Sequence, residues 1–431
     1  MKKAALHNLG CKVNSYETEA MKQKLNEAGY EIVPFSEVAD IYIVNTCTVT
    51  NIADRKSRQM LHKAKKMNPD GIVVAVGCYV QAAGEDLEKD LSVDIIIGNN
   101  KKNDLVDILE GRLAKKDIID INTTPVYEEM KLEKTTDLTR SNIKIQDGCN
   151  QFCSYCIIPY TRGRVRSRGI KEVIGEVETL ASGGCKEVVL TGIHTASYGV
   201  DFEDGTNLLY LIKKIHEING LERIRLSSLE QGIITEEFIS ELCKLNKVCP
   251  HFHLSLQSGS ETVLKRMNRK YTPDEYLRKC EIIRSYYNNP AITTDIIVGF
   301  PGETDAEFQE TKEFVEEVGF SGIHVFKYSK RKGTKAADMT DQVPDQIKAK
   351  RSDELISIGE KLKNSFMENL IGKEEYVLFE EHELIDGLKY YTGHTREYLK
   401  IGVISDADIA NKILEVKVVK KLNREILLAE I

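Results

Sequence analysis

The sequence predicts an α/β protein in three parts: an N-terminal doubly wound parallel sheet, a central partial (β/α)6 barrel and a small C-terminal all-β barrel. Two regularities and one change of pattern predict it. Up to about residue 115, short apolar runs alternate with amphipathic stretches, as expected of parallel strands covered by helices on both faces. From about 140 to 365, six apolar runs alternate with helix-like stretches, fewer units than a full eight-unit barrel has. From about 372, aromatic and β-branched runs separated by turn residues suggest a closed β-barrel.

In the first part, strands are expected at 4–6, 31–33, 41–44, 72–76 and 94–97, with helices near 15–28, 52–67, 82–90 and 101–112. Cys11, Cys47 and Cys78 each follow one of these strands. The carboxyl ends of strands in an open parallel sheet share one edge, where ligands bind. Helix amino termini also lower thiol pKa values, so three thiolates are expected to converge there, with three inert buried thiols as the alternative. In the second part, strands are expected at 143–145, 187–190, 223–226, 252–256, 292–298 and 323–326. Their carboxyl ends are small and polar, and include Gly192, Ser228, Glu230, Gln257 and the helix-cap sequence Gly302-Glu303-Thr304. Together they form a ring suited to a buried polar cofactor. The third part has runs at 375–379, 390–394, 398–401, 413–418 and 425–428. The domains expected are 1–115, 140–370 and 371–431, with 116–139 as a linker.

Cys149, Cys153 and Cys156 lie in the run Gly148-Cys-Asn-Gln-Phe-Cys-Ser-Tyr-Cys-Ile157, at C-x-x-x-C-x-x-C spacing. Iron–sulfur clusters and structural zinc sites normally take four protein ligands, so this compact loop leaves one metal position open. The other reading is a zinc knuckle that borrows His194 or His253 as its fourth ligand. Ten cysteines without an apolar leader point to a reducing, cytoplasmic setting, where such cysteines bind metal more often than they form disulfides. Cys185, Cys243, Cys249 and Cys280 lack such partners and are expected to be structural. No apolar run approaches the roughly 20 residues that cross a bilayer.

The net charge of −7 gives no global sign of a polyanionic partner. Between residues 140 and 171, however, seven basic residues accompany one acidic residue. Lys265-Arg266-Met-Asn-Arg269-Lys270 and Lys330-Arg331-Lys332-Gly-Thr-Lys335 add two further clusters. Basic residues around a reactive loop are expected to attract phosphate, with a set of merely solvated side chains as the alternative. The segment from 368 to 431 holds nine basic and thirteen acidic residues, which argues against strong unspecific phosphate binding by this part alone.

With its Tyr155, the cysteine loop resembles the signature of radical S-adenosylmethionine (SAM) enzymes. Together with Leu9-Gly-Cys-Lys-Val-Asn-Ser-Tyr-Glu-Thr-Glu19, Asn45-Thr-Cys-Thr48, Gly77-Cys78 and the stretch from Gly148 to Arg168, the chain resembles the radical SAM methylthiotransferases end to end. Its last part is similar to their TRAM RNA-binding domain. The resemblance implies two 4Fe-4S clusters, one on Cys149, Cys153 and Cys156 and an auxiliary one on Cys11, Cys47 and Cys78. It also implies SAM as the source of a 5′-deoxyadenosyl radical. Tyr155, Gly192, Ser228, Glu230 and Gln257 become candidates for binding SAM, and Arg162, Arg164 and Arg168 for binding tRNA phosphates or a substrate carboxylate. The first motif is similar to the branch that modifies threonylcarbamoyladenosine 3′ of the anticodon; other branches act on isopentenyladenosine or on a ribosomal-protein aspartate. The partners implied are tRNA, an electron donor such as flavodoxin or ferredoxin, and a sulfur source.

Overall fold

In the computed structural model, placement is described for all residues except 124–125 and 134–138, with backbone alone at 85–86. The first part runs β1 (Lys3–Asn8), α1 (Lys12–Glu27), β2 (Glu31–Val33), β3 (Ile41–Thr46), α2 (Asn51–Met67), β4 (Ile72–Gly77), α3 (Cys78–Leu87), β5 (Ile95–Ile97), α4 (Leu105–Leu109) and β6 (Lys116–Asp117). All six strands are parallel, in the order β2-β1-β3-β4-β5-β6. The central strands β3 and β4 carry apolar side chains on both faces because both faces are covered: Ile43 and Val74 pack into one core, Tyr42 and Val73 into another.

Two expectations change here. The third helix begins at Cys78 itself, not near 82, because Gly77 turns the chain at φ 98° directly after β4. The expected linker also packs: it supplies β6 at the sheet edge and buries Ile121, Met130 and Leu132. Part of it lies outside the described residues.

The second part opens with β7 (Arg140–Lys144) and the two-residue strands β8 (Gln146–Asp147) and β9 (Arg166–Ser167), which pair antiparallel and close the base of the cysteine loop; α5 (Ile158–Thr161) lies within that loop. Then come α6 (Ile170–Ser182), β10 (Glu187–Thr191), α7 (Leu208–His216), β11 (Arg223–Leu226), α8 (Glu236–Leu242), β12 (His251–His253) and α9 (Glu261–Arg266). After these follow α10 (Pro273–Tyr286), β13 (Ala291–Val298), α11 (Asp305–Val318), β14 (Gly322–Lys327) and α12 (Asp345–Glu368). The parallel strands form two sheets, β11-β10-β7 and β12-β13-β14, joined by single bridges such as Leu229 to Leu254. The fourth strand is shorter than expected, and beyond His253 only such bridges continue it. As expected, Thr304 caps α11, in a capping box with Glu307.

The third part is a closed barrel of β15 (Glu374–Ile385), β16 (Leu388–His394), β17 (Lys400–Val403), β18 (Ile413–Lys421) and β19 (Ile426–Glu430), ordered β15-β16-β17-β19-β18. Arg223 and Arg225 of β11 hold it to the central part, donating to the carbonyls of His394 (2.8 Å), Tyr376 (2.7 Å) and Arg396 (2.8 Å). The Tyr398 ring lies under the guanidinium of Arg225 at 4.7 Å.

Candidate active site

Cys11, Cys47 and Cys78 follow β1, β3 and β4, three neighbouring strands, so the parallel sheet sets them on one edge. The fit is close: Gly10 has φ 104°, and a Cβ added there would lie 2.9 Å from the sulfur of Cys47. The Asn14 side chain ties the edge together, donating to the carbonyls of Leu9 (2.7 Å) and Thr46 (3.0 Å). Burial pushes the Cys47 thiol up to about 11, with Cys78 and Cys11 adding to it against the Val49 amide. Cys11, exposed by area yet hemmed in by protein, is also raised, above all by loss of solvation. The expected lowering at helix amino termini is therefore reversed for these two thiols, because desolvation outweighs the helix end.

The second triplet sits on a loop set by Gly148, whose φ of 72° brings its α-carbon so near the Arg164 carbonyl that an added Cβ would lie 1.8 Å from that oxygen. Ser154 donates to the carbonyl of Met267 (2.9 Å) through its amide and to that of Arg266 (2.8 Å) through its hydroxyl. Cys153, Cys156, Phe152, Tyr160, Thr334 and Lys335 line a cavity of about 110 Å³. Burial drives the Cys156 thiol up to about 12. A larger recess of about 610 Å³, lined by residues such as Tyr286 and Phe366, touches none of these groups.

Each triplet has one buried arginine donating to a sulfur. Arg269 reaches Cys153 at 3.4 Å and, at 3.6 Å, Glu230. Arg162 reaches Cys78 at 3.2 Å through Nε, while its terminal nitrogens bind Glu17 (2.9 Å), Asp147 (3.0 Å) and Asn14 (2.7 Å). Lys144 and Lys102 also pair with Glu17, and Lys144 and Arg166 with Asp147, so four cations surround two carboxylates. Although burial opposes it, this surplus holds both carboxyls well below their usual range.

Arg162 and Arg168 are therefore corrected as candidates for phosphate contact. Both are completely buried: Arg168 is spent on Glu176, Glu129 and the Tyr16 hydroxyl. Arg164 alone of the three is exposed, with its guanidinium 4.5 Å from the centre of the Phe152 ring. The basic surplus around the loop points mostly inward, onto carboxylates and sulfur.

Of the SAM candidates, Tyr155 and Glu230 border the cysteine loop. The Tyr155 ring stacks edge-on against Phe300. Glu230 meets Arg269 and caps the Gly232 amide at 2.8 Å. Gly192, Ser228 and Gln257 sit at strand ends without a described contact to the loop. Gly192 lies against Gln146, whose Oε1 accepts from the amides of Ile193 and His194. The Ser228 carbonyl accepts from Thr195, and Gln257 takes a left-handed φ of 75°. The sequence reading missed Arg269, Asn14, Glu17 and Asp147. Two of these lie within the first cysteine motif, three and six residues after Cys11 on α1.

The donor sets fit clusters better than single ions. A tetrahedral zinc–thiolate site, with bonds of about 2.3 Å, needs its sulfurs roughly 3.8 Å apart. Among the described residues, the one set of three potential ligand atoms within 4.8 Å of one another is His253, Asp295 and His324, and it contains no cysteine. His253 faces Asp295 (3.3 Å), and His194 faces Ser197 (2.6 Å), so neither histidine completes a cysteine site. Three cysteines spread more widely, each set beside a buried cation, suit a 4Fe-4S cube with one iron free.

Residues 143–315 match the Radical SAM superfamily, and residues 3–98 match the family described as Uncharacterized protein family UPF0004. The chain is 42% identical over 431 residues to "Threonylcarbamoyladenosine tRNA methylthiotransferase MtaB" of Bacillus subtilis (strain 168), covering 97% of this chain and 94% of that one. It is 37% identical over 422 residues to "tRNA-2-methylthio-N(6)-dimethylallyladenosine synthase" of Thermoanaerobacter sp. (strain X514), covering 96% and 89%. The fold is similar to the radical SAM methyltransferase TsrM of Kitasatospora setae, with a TM-score of 0.56 and 15% identity over 76% of this chain and 73% of that one. With these likenesses and two three-cysteine sites, the chain belongs to the radical SAM methylthiotransferase family, whose members work with SAM and two 4Fe-4S clusters.

Proposed function

We propose that this protein replaces the hydrogen on carbon 2 of N6-threonylcarbamoyladenosine in tRNA by a methylthio group. The observation that carries the reading is the pair of three-cysteine sites joined by one buried ion network, in which Arg162 leaves the radical loop to hold Cys78 of the other site. When bound, the two clusters and SAM supply one-electron carbon–sulfur cleavage, the methyl group and the inserted sulfur. The chain's own work is to place and insulate. Glu17 and Asp147 fix Arg162 between the sites, Arg269 balances charge at Cys153, and Tyr155 with Phe300 walls the loop with apolar surface. The exposed cations Arg164, within the cysteine loop, and Lys335, which lines the cavity beside it, suit tRNA phosphates. The small C-terminal barrel offers a second contact to RNA. Of four relatives named for threonylcarbamoyladenosine, three are 42%, 40% and 38% identical and one is 37%, the value that those named for dimethylallyladenosine also reach; the three higher identities support the first substrate.

The activity needs an electron donor of the flavodoxin or ferredoxin kind and a source of sulfur, and a tRNA substrate supports a cytoplasmic location. No helix among the described residues is long and apolar enough to cross a membrane. Nucleoside mass spectrometry of tRNA from cells with and without the gene tests the reading. The methylthio form of threonylcarbamoyladenosine should disappear while its precursor accumulates. Loss of the methylthio dimethylallyl nucleoside instead would change the substrate, and an unchanged nucleoside set would overturn the reading.

A further inference from the structure

β12, β13 and β14 lie side by side and parallel, and one face of this sheet is apolar. Phe252, Ile292, Ile296 and Val298 pack into the main core, with Ile323 and Val325 against it. Side chains alternate along a strand, so the residues between these share the opposite face. His253, Asp295 and His324 are three of them, one from each strand. Register brings them together: His253 pairs with Thr293, which shares its face with Asp295 two residues on, and Asp295 pairs with His324. Packing fixes the facing of β14, because a Cβ added at Gly359 of α12 would lie 2.4 Å from the Ile323 side chain. Ile323 therefore turns towards that helix and His324 away from it.

An imidazole nitrogen from each histidine and a carboxylate oxygen of Asp295 all lie within 4.8 Å of one another. His253 Nε2 and Asp295 Oδ2 are 3.3 Å apart, and the two imidazole rings are centred 6.0 Å apart. Bonds of about 2.1 Å to a tetrahedral ion set ligand atoms roughly 3.4 Å apart, so one edge already has the required length. Rotation of His324, which is exposed and has no hydrogen-bond partner among the described residues, closes the other two. Thr293 Oγ1 lies 3.0 Å from His253 Nδ1. A hydroxyl that accepts from Nδ1–H selects the tautomer whose Nε2 lone pair faces Asp295, the usual support behind a metal-binding imidazole. Among the described residues no lysine or arginine forms an ion pair with Asp295, so its charge is left to the two histidines.

We propose that His253, Asp295 and His324 bind one zinc(II) ion, at a site separate from both cysteine triplets. Two imidazoles and one carboxylate suit its borderline character, and three protein ligands leave a fourth position to water or an anionic group. The ion ties three neighbouring strands of the central part together. The site stands whichever nucleoside the enzyme modifies.

The test dialyses anaerobically isolated holoprotein against low, buffered zinc and measures zinc and iron by mass spectrometry. The wild type should retain about one zinc beside its roughly eight irons. His324→Ala, a change at an exposed position, should lose the zinc and keep the iron. Thr293→Val should weaken zinc binding by roughly ten- to hundred-fold. Zinc should also raise the melting temperature of the wild type and leave that of His324→Ala unchanged. No zinc retained by the wild type overturns the proposal, and this measurement decides even where a variant fails to fold. Equal zinc in the wild type and His324→Ala overturns it too, as does iron lost in step with zinc gained, which would put the metal on the cysteines.

Discussion

Replacing Arg162 by methionine removes a cation from between two buried carboxylates and a donor from Cys78. Breaking a buried charge pair on one side costs about 3–5 kcal/mol, because the remaining charge stays desolvated. Arg162→Met is expected to lower the melting temperature and to reduce iron after anaerobic reconstitution from about eight towards about four per chain. Arg162→Lys should recover part of the stability while losing the bond to sulfur. Full iron and an unchanged melting temperature in Arg162→Met would sink the idea. The residue scale is also where sequence reasoning failed most clearly. A count of basic residues records how many there are, not which way they point. Glu17 and Asp147, which turn Arg162 inward, stand far apart along the chain and meet only once α1 packs on the central part. The two cysteine triplets were legible as groups because a local rule places them: three share a loop, and three follow parallel strands.

At the scale of elements, strand ends and apolar runs were readable, whereas short pairings were not. The two-residue strands β6, β8 and β9 carry no periodic signal, and β9 closes the cysteine loop only through its partner β8. The C-terminal barrel holds a second feature hidden from the sequence. On β15, burial and the facing Glu397, opposed by Lys373, push the Glu375 carboxyl up to about 7. Between about pH 4.5 and 7 the folded barrel keeps a proton that the unfolded chain has released, so stability falls as pH rises through that window. Discounted for partial exposure, the loss is about 1–2 kcal/mol. Glu375→Gln should flatten the change in melting temperature between pH 5 and pH 8; identical pH profiles for variant and wild type would contradict this.

Across the whole molecule, the parts are fastened by arginines that cross between them. Arg331, after β14, reaches Asp54 (2.7 Å), Asn51 (2.6 Å) and Thr48 (2.5 Å) of the first part. Arg331→Ala is expected to cost about 2–3 kcal/mol and to speed proteolytic cleavage near the exposed Val49 and Ile52 several-fold, with the circular dichroism spectrum unchanged. An unaltered cleavage rate would show that this contact does not hold the parts together. The three-part architecture was visible in the sequence because each part repeats its own period; the clamps between parts were not, since each joins residues that share no period. The reach of Arg162 into the first triplet has a consequence for biosynthesis. A ribosome releases Cys11, Cys47 and Cys78 long before residue 162, and through that interval the sheet edge lacks its counter-cation. Nascent chains cannot present a finished auxiliary site to the iron–sulfur delivery machinery until the radical loop has been translated and docked, so loading of the first-made site waits for the second.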